Sequence, residues 1–233
     1  QMRDVQVRRA VIEALDVPRL VNDATRDAEN ATGAGRGFFG WAFDPAVKPP
    51  AYDLSGARAL LRAAHWKAGT SVQLSFPTGD AQSEQVALMM QQELRQVGVE
   101  LSLRKYTLAQ FLAPADSGGP IFGSKYQIAF VQILTGVDPN TGFFFDCNQM
   151  PPAGFNLTRY CNANIQAALE ADVRTYDPEL RRRESVIVQQ QVASAVPFVP
   201  LWQRHAISVY PSWLHGVDPS PTTAYWNIGE WHV

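Results

Sequence analysis

Two cysteines stand apart from the rest of the side chains that could do chemistry. Cys147 and Cys161 are fourteen positions apart in "GVDPNTGFFFDCNQMPPAGFNLTRYCN", residues 136–162, and the chain has no others. Such a pair can be two free thiols, half of a metal site, or a disulfide. A zinc site needs two more Cys or His ligands nearby. The four histidines, His65, His205, His215 and His232, show no paired ligand spacing. A catalytic thiol does not need a second cysteine in the same loop. A bridge across this loop would stabilise the fold by roughly 3 kcal/mol through restriction of the unfolded chain. It would also place the chain in an oxidising, extracytoplasmic compartment. The bridge is the preferred reading, with two small buried thiols as the open alternative.

Other candidate chemistry is sparse. "GRGFFG", Gly35 to Gly40, matches a dinucleotide fingerprint as a string. That motif works only between a strand and a helix N-terminus, whereas here it follows polar coil and runs into Trp41 and Pro45. No GxSxG elbow and no HExxH pair occurs. Glu170 and Asp172 lie two apart on a helix and do not face each other. "NLT" at 156–158 is a glycosylation string of a kind that recurs by chance. The residues therefore point away from an enzyme, and no cofactor or metal is expected. A net charge of −2 gives no electrostatic case for nucleic acid. The densest basic cluster, "RRRE" at 181–184, reads as a solvated helix face. No apolar run reaches the length of about 18 residues needed to span a bilayer. The chain opens inside an amphipathic helix rather than a signal peptide, the start expected of a processed chain, a truncation or a fragment.

The elements that must position these residues are more legible. Residues 5–15 read as a helix, followed by a short one with Asp16 as cap and Pro18 in its first turn. Asp53 caps another, which Gly69 should stop. "SVQLSF" alternates as a strand, and a helix capped by Asp80 or Ser83 carries Val86, Met90 and Leu94. "VELSLRKY" then alternates again, which completes a βαβ unit with parallel strands. A short helix at 107–112 leads to "YQIAFVQIL" as a third strand. Two helices follow the cysteine loop, the second capped by Asp177. "VPFVPLW" and "HAISVY" read as short edge strands. Residues 211–233 form a turn-rich tail whose Trp213, Trp226 and Trp231 are expected to pack on the rest. The fold class is α/β, with a mixed or mostly parallel sheet flanked by helices.

In such a sheet, ligands sit at the carboxyl ends of the strands. Two loops leave the sheet there, "PTGD" (77–80) and "LTGVDPNTGFF" (134–144). The second mixes small residues, a carboxylate, an amide and aromatics, as small-molecule sites do. It also reads as a helix start, with Asp138 as cap and Phe143 to Phe145 partly in the core.

The ordered series "VRRAVIEALD", "YDLSGARALLRAA", "VGVELSL", "FVQILTGVDPNTGFF", "RYCNANIQAALEA" and "VPFVPLW" resembles the C-terminal lobe of the family 5 extracellular solute-binding proteins, which serve ABC importers. The resemblance covers nearly all of residues 1–233, read as a single lobe of a two-lobed type II periplasmic-binding-protein-like fold. It implies a bonded Cys147–Cys161 loop and non-catalytic capture of a peptide or small solute against a missing N-terminal lobe. The implied partners are that lobe and the importer's membrane subunits. The implied location is periplasmic or extracellular, with a lipid-anchored parent possible. Asp138 is then the group expected to meet a cationic or hydrogen-bonding part of the ligand. Gln132, Thr135 and Asn140 would add polar contacts, and Phe143 and Trp202 an apolar wall. Peptide-binding relatives carry an aspartate where Thr135, Gly136 and Val137 stand here. The alternatives are a non-peptide solute, such as a sugar oligomer or metal complex, and a transport-independent sensor or adaptor.

Overall fold

The computed structural model of the chain describes residues 1–25, 39–133, 138–204, 207–220, 223 and 225–233, and residues 28–30 by their backbone. Its first half forms as the apolar periodicity dictates. Helix α1 (Val5–Glu13) is capped by Asp4, whose carboxylate accepts the Gln6 N–H at 2.8 Å. Helix α2 (Val17–Ala24) is capped by Asp16 on Arg19 N at 3.2 Å. Strand β1 (Ala28–Asn30) follows, and then helix α3 (Leu54–Ala63), capped by Asp53. Helix α3 ends earlier than predicted. His65 takes a left-handed φ of 53° just past it, and Gly69, at φ 78°, instead turns the chain into the next strand.

Strand β2 (Thr70–Pro77), helix α4 (Ala81–Arg95) and strand β3 (Val99–Tyr106) make the expected βαβ unit. The strands pair in parallel, with Val72 opposite Leu101 and Leu74 opposite Leu103. Gly98 supplies the left-handed turn (φ 82°) between α4 and β3. After helix α5 (Leu108–Phe111), strand β4 (Ile128–Ala129) joins the other side of β2, again in parallel. The sheet order is thus β3-β2-β4. Strand β4 is far shorter than the predicted third strand because side chains replace ladder bonds at its start. Gln127 Oε1 accepts the Gln73 N–H at 2.8 Å, and Gln73 Nε2 donates to the Lys125 carbonyl at 3.1 Å.

The second half packs around helices. Helix α6 (Gly142–Phe145) precedes the cysteine loop, and helices α7 (Ala163–Asp172) and α8 (Pro178–Ala195) lie against each other. Two edge strands are expected at "VPFVPLW" and "HAISVY". Among the described residues of this region, the strand that forms is β5 (Trp202–Arg204), antiparallel to β1. Pro197 and Pro200 bring no N–H to a ladder. Residues 207–210 are exposed and outside any strand. In the tail, Trp213 and Trp226 are more than half exposed, and none of the three tryptophans joins an apolar core cluster. The tail's order comes from its own polar bonds. Asn227 donates to the Gly216 carbonyl at 2.7 Å and accepts from Trp231 Nε1 at 3.0 Å.

Two apolar clusters result. The larger joins α1–α4 to the sheet, with Val72, Leu74 and Phe76 fully buried at its centre. The smaller holds Phe39, Phe145, Ile165, Leu169, Val188 and Val192 between α6, α7 and α8. The chain is an α/β fold with a parallel sheet flanked by helices, as its periodicity predicts.

Candidate functional site

A cleft of about 1720 Å³ opens where the two halves face each other. Because β3 and β4 flank β2 on opposite sides, chain connections diverge at the carboxyl ends of β2 and β4. That divergence leaves a crevice, the usual place for a ligand in an open parallel sheet. The cleft is lined there by Asp80, Phe130, Gln132 and Ile133, and beside them by Trp202 and Arg204 of β5.

The polar fixture of this wall is an ion pair. Arg204 Nη2 donates to Asp80 Oδ2 at 2.5 Å, and Ser83 Oγ donates to the same oxygen. Burial works against the Asp80 charge, but the bonds from Arg204 and Ser83 outweigh it and hold the carboxyl below its ordinary range. Asp80 is the N-cap residue of α4, and its carboxylate is held both by the backbone of Gln82 in the first turn and by Arg204 at the cleft. The apolar wall is aromatic. Trp202 meets Phe130 edge-on at 5.9 Å between centroids, and Phe130 in turn packs on Phe76 of the core at 6.0 Å.

Among the residues singled out by the sequence, Gln132 and Trp202 line this cleft. Thr135 lies outside the described residues. Asp138, Asn140 and Phe143 are not among the cleft-lining residues. The Asp138 carboxylate accepts from Arg181 Nη2 at 2.7 Å and from the Asn140 N–H at 2.8 Å. Arg181 also grips the buried Asp172 through Nε at 2.8 Å, and Asn140 Nδ2 donates to Asp172 at 2.6 Å. Its bond from Arg181, opposed by partial burial, holds Asp138 below the ordinary aspartate range, and Arg181 is raised in turn. These residues form a brace between the Asp-Pro loop and helices α7 and α8. The solvated face expected for "RRRE" therefore needs correction at Arg181, whose side chain is only 17% exposed. Phe143 is half exposed and stacks on Phe155 at 4.7 Å.

The cysteines are bonded, Cys147 Sγ to Cys161 Sγ, with Cα atoms 5.0 Å apart. Inside the bridged loop Asn156 is fully buried. It donates to the carbonyls of Asp146 at 3.2 Å and Tyr160 at 2.9 Å, and accepts from Thr158 Oγ1. The "NLT" string is therefore a loop staple, closed to a glycan in the folded chain. Among the described residues no cluster of His, Cys, Asp and Glu could hold a metal, and no helix is long and apolar enough to cross a membrane.

Sequence reasoning missed Arg8, Arg159 and Arg204 as cleft residues. Arg8 and Arg159 carry no local signal, since each reaches the cleft only through long-range packing. Asp80 sits in a recognised strand-end loop, but nothing in the sequence pattern marks Arg204 as its partner.

Comparison with known proteins bears on this geometry. Residues 1–149 match the family model for bacterial extracellular solute-binding proteins, family 5 middle region. The chain is 26% identical over 228 residues to a glutathione-binding protein, GsiB, of Shigella flexneri, a match covering 94% of this chain and 43% of that protein. GsiB of Escherichia coli strain K12 matches at the same identity and coverage, 26%, 94% and 43%. Among solved structures, the ABC transporter substrate-binding protein CtaP of Listeria monocytogenes superposes with a TM-score of 0.82 at 20% identity, over 99% of this chain and 47% of that one. The oligopeptide-binding protein AppA of Bacillus subtilis, solved with a nonapeptide, gives 0.78 at 18% identity, over 100% and 48%. The chain thus spans less than half the length of these relatives and neighbours, whose fold is that of type II periplasmic binding proteins. With residues 1 to 149 of its 233 matched by the family model, the chain belongs to the bacterial extracellular solute-binding proteins of family 5.

Proposed function

We propose that this chain is the solute-recognition lobe of a binding protein that delivers peptide-type solutes to an ABC importer, outside the cytoplasmic membrane and without catalysis. The observation that carries the reading is the open cleft at the carboxyl ends of β2 and β4 in a chain of this family. A second lobe closing over it would bury the ligand and complete the site, and such closure is how hinged binding proteins signal occupancy. Gln132 supplies a hydrogen-bonding group at the end of β4. Trp202 and Phe130 supply a flat apolar wall, and the Asp80–Arg204 pair offers both signs of charge to a zwitterion. Asp138 and Asn140 act at one remove, by holding the loop that follows β4 against α7 and α8.

Native mass spectrometry of the full-length protein, purified gently from its host, tests the reading. Bound masses spaced by amino-acid residues are the expected result. A single non-peptide mass would replace the substrate, and turnover of a bound peptide would replace the non-catalytic role. The variant Trp202→Ala should weaken binding of that solute by roughly tenfold, as loss of an aromatic anchor does.

A further inference from the structure

The charges around the cleft are strongly one-sided. Among the described residues lining it, four arginines (Arg3, Arg8, Arg159 and Arg204) face a single carboxylate, Asp80. The whole chain has a formal net charge of −2, so this excess is local and does not reflect bulk composition.

The way these arginines are held matters more than their number. Outside the cleft several arginines sit against carboxylates, among them Arg9 with Glu13, Arg19 with Glu93 and Arg181 with Asp172. Among the described cleft residues, only Arg204 does so. Arg8 is fixed by neutral acceptors, donating to the carbonyls of Ala195 at 2.8 Å, Met2 at 3.0 Å and Arg3 at 2.8 Å. Arg159 is fixed in the same manner, by Ser124 Oγ and the carbonyls of Pro151 at 3.2 Å and Phe122 at 3.1 Å. Both guanidinium groups line the same cleft, held there by different segments of the chain. Asp4 also acts on Arg8, but from beyond ion-pair distance, with its carboxylate committed to capping α1. Carbonyls orient a guanidinium without cancelling its charge. Partial burial of Arg8 also works against its charge and raises the value of an incoming anion.

We infer that the cleft selects net-anionic solutes carrying more than one carboxylate, such as short acidic peptides, with Arg8 and Arg159 as its specificity-determining residues. One carboxylate would meet Arg8 or Arg159, while the Asp80–Arg204 pair would take an ammonium and a second carboxylate. The inference rests on the solute-binding reading above and narrows its substrate class.

Titration of the full-length protein with triglutamate, trialanine and trilysine, followed by calorimetry, tests it. At low salt (about 20 mM) triglutamate should bind about tenfold more tightly than trialanine, with trilysine weakest, and the gap should close near about 500 mM salt as screening sets in. Arg8→Gln and Arg159→Gln should each weaken triglutamate by about 3- to 10-fold while trialanine stays within about twofold. Both arginines also brace the fold, so Arg3→Gln, an exposed side chain outside those braces, provides a variant that keeps the structure. It should weaken triglutamate by about 2- to 3-fold. Equal binding of the three peptides, or a preference indifferent to salt, would overturn anion selection and leave solute capture standing. No response to any of them would overturn both.

Discussion

The sheet half and the helix-pair half solve the same problem with different materials. Around β2 the interior is almost wholly apolar: Val72, Leu74, Phe76, Val86, Leu94 and Val99 are fully excluded from water. One charge intrudes, Glu93, which accepts the Asp16 N–H at 2.9 Å and pairs with Arg19 at 3.1 Å. Around α7 and α8 the apolar cluster is small, and the buried set includes Asn156, Asp172, Ser185 and Gln189. Gln189 ties α8 to the segment before α3, donating to the Ala42 carbonyl and accepting the Asp44 N–H, both at 2.9 Å. A disulfide completes the set. Apolar packing is non-directional and holds a sheet well, but it does not specify where an irregular loop must lie. Directional bonds do, at the cost of failing together when one member is lost. The half with the long loops is the half that uses them.

The contrast can be broken most forcefully at Asp172. Its loss leaves Arg181 without its buried partner, so Asp172→Ala should cost about 3–5 kcal/mol in urea unfolding, whereas replacing both partners by apolar residues should recover much of this. A fully additive double mutant would show that the brace is not a unit. In the sheet half, Phe76→Ala should cost a comparable 3–5 kcal/mol or so, but by leaving a cavity rather than an orphaned charge. That loss should be insensitive to salt and pH.

Reduction of Cys147–Cys161 should remove about 2–4 kcal/mol. Hydrogen exchange should show the loss concentrated in α6, α7 and the loop between them, with β2 and β3 amides protected as before. Uniform loss would mean that the halves unfold as one unit. Asp138→Ala should cost less than about 1 kcal/mol, because that carboxylate is largely exposed and screened. If it instead abolished solute binding while leaving stability intact, Asp138 would belong to the site after all.

The smallest effects concern pH. Asp80 and Asp138 titrate below the ordinary aspartate value of 3.8, so the stability they add is present above that value and lost as pH falls through their folded values. Glu93 behaves oppositely. Burial raises its folded value above 4.5, so its contribution is full below 4.5 and lost as pH rises through the folded value. Glu93→Gln should therefore flatten the stability profile on the neutral side, and Asp138→Asn the profile on the acid side, each read by thermal unfolding across pH.

Local order in this protein is written in its sequence because caps, periodicity and glycine turns act over a few residues. Asp16, Asp53 and Asp177 cap where their spacing says they must, and the alternation of Val72, Leu74 and Phe76 gives both strand and face. The ordered motifs carried the family, and the cysteine spacing the bridge. What the chain could not announce was which polar groups meet. Asp138 stands where a ligand-binding carboxylate is expected, yet Arg181, 43 residues away, takes it. Asp80 sits at the helix start its spacing predicts, but nothing local announces that it also pairs with Arg204 across 124 residues. Arg8 reaches Ala195 over 187. Hydrogen bonds and ion pairs are decided within a few ångströms in space, at sequence separations where no local pattern survives. The charge of the cleft was therefore settled only when the tertiary fold brought its arginines together.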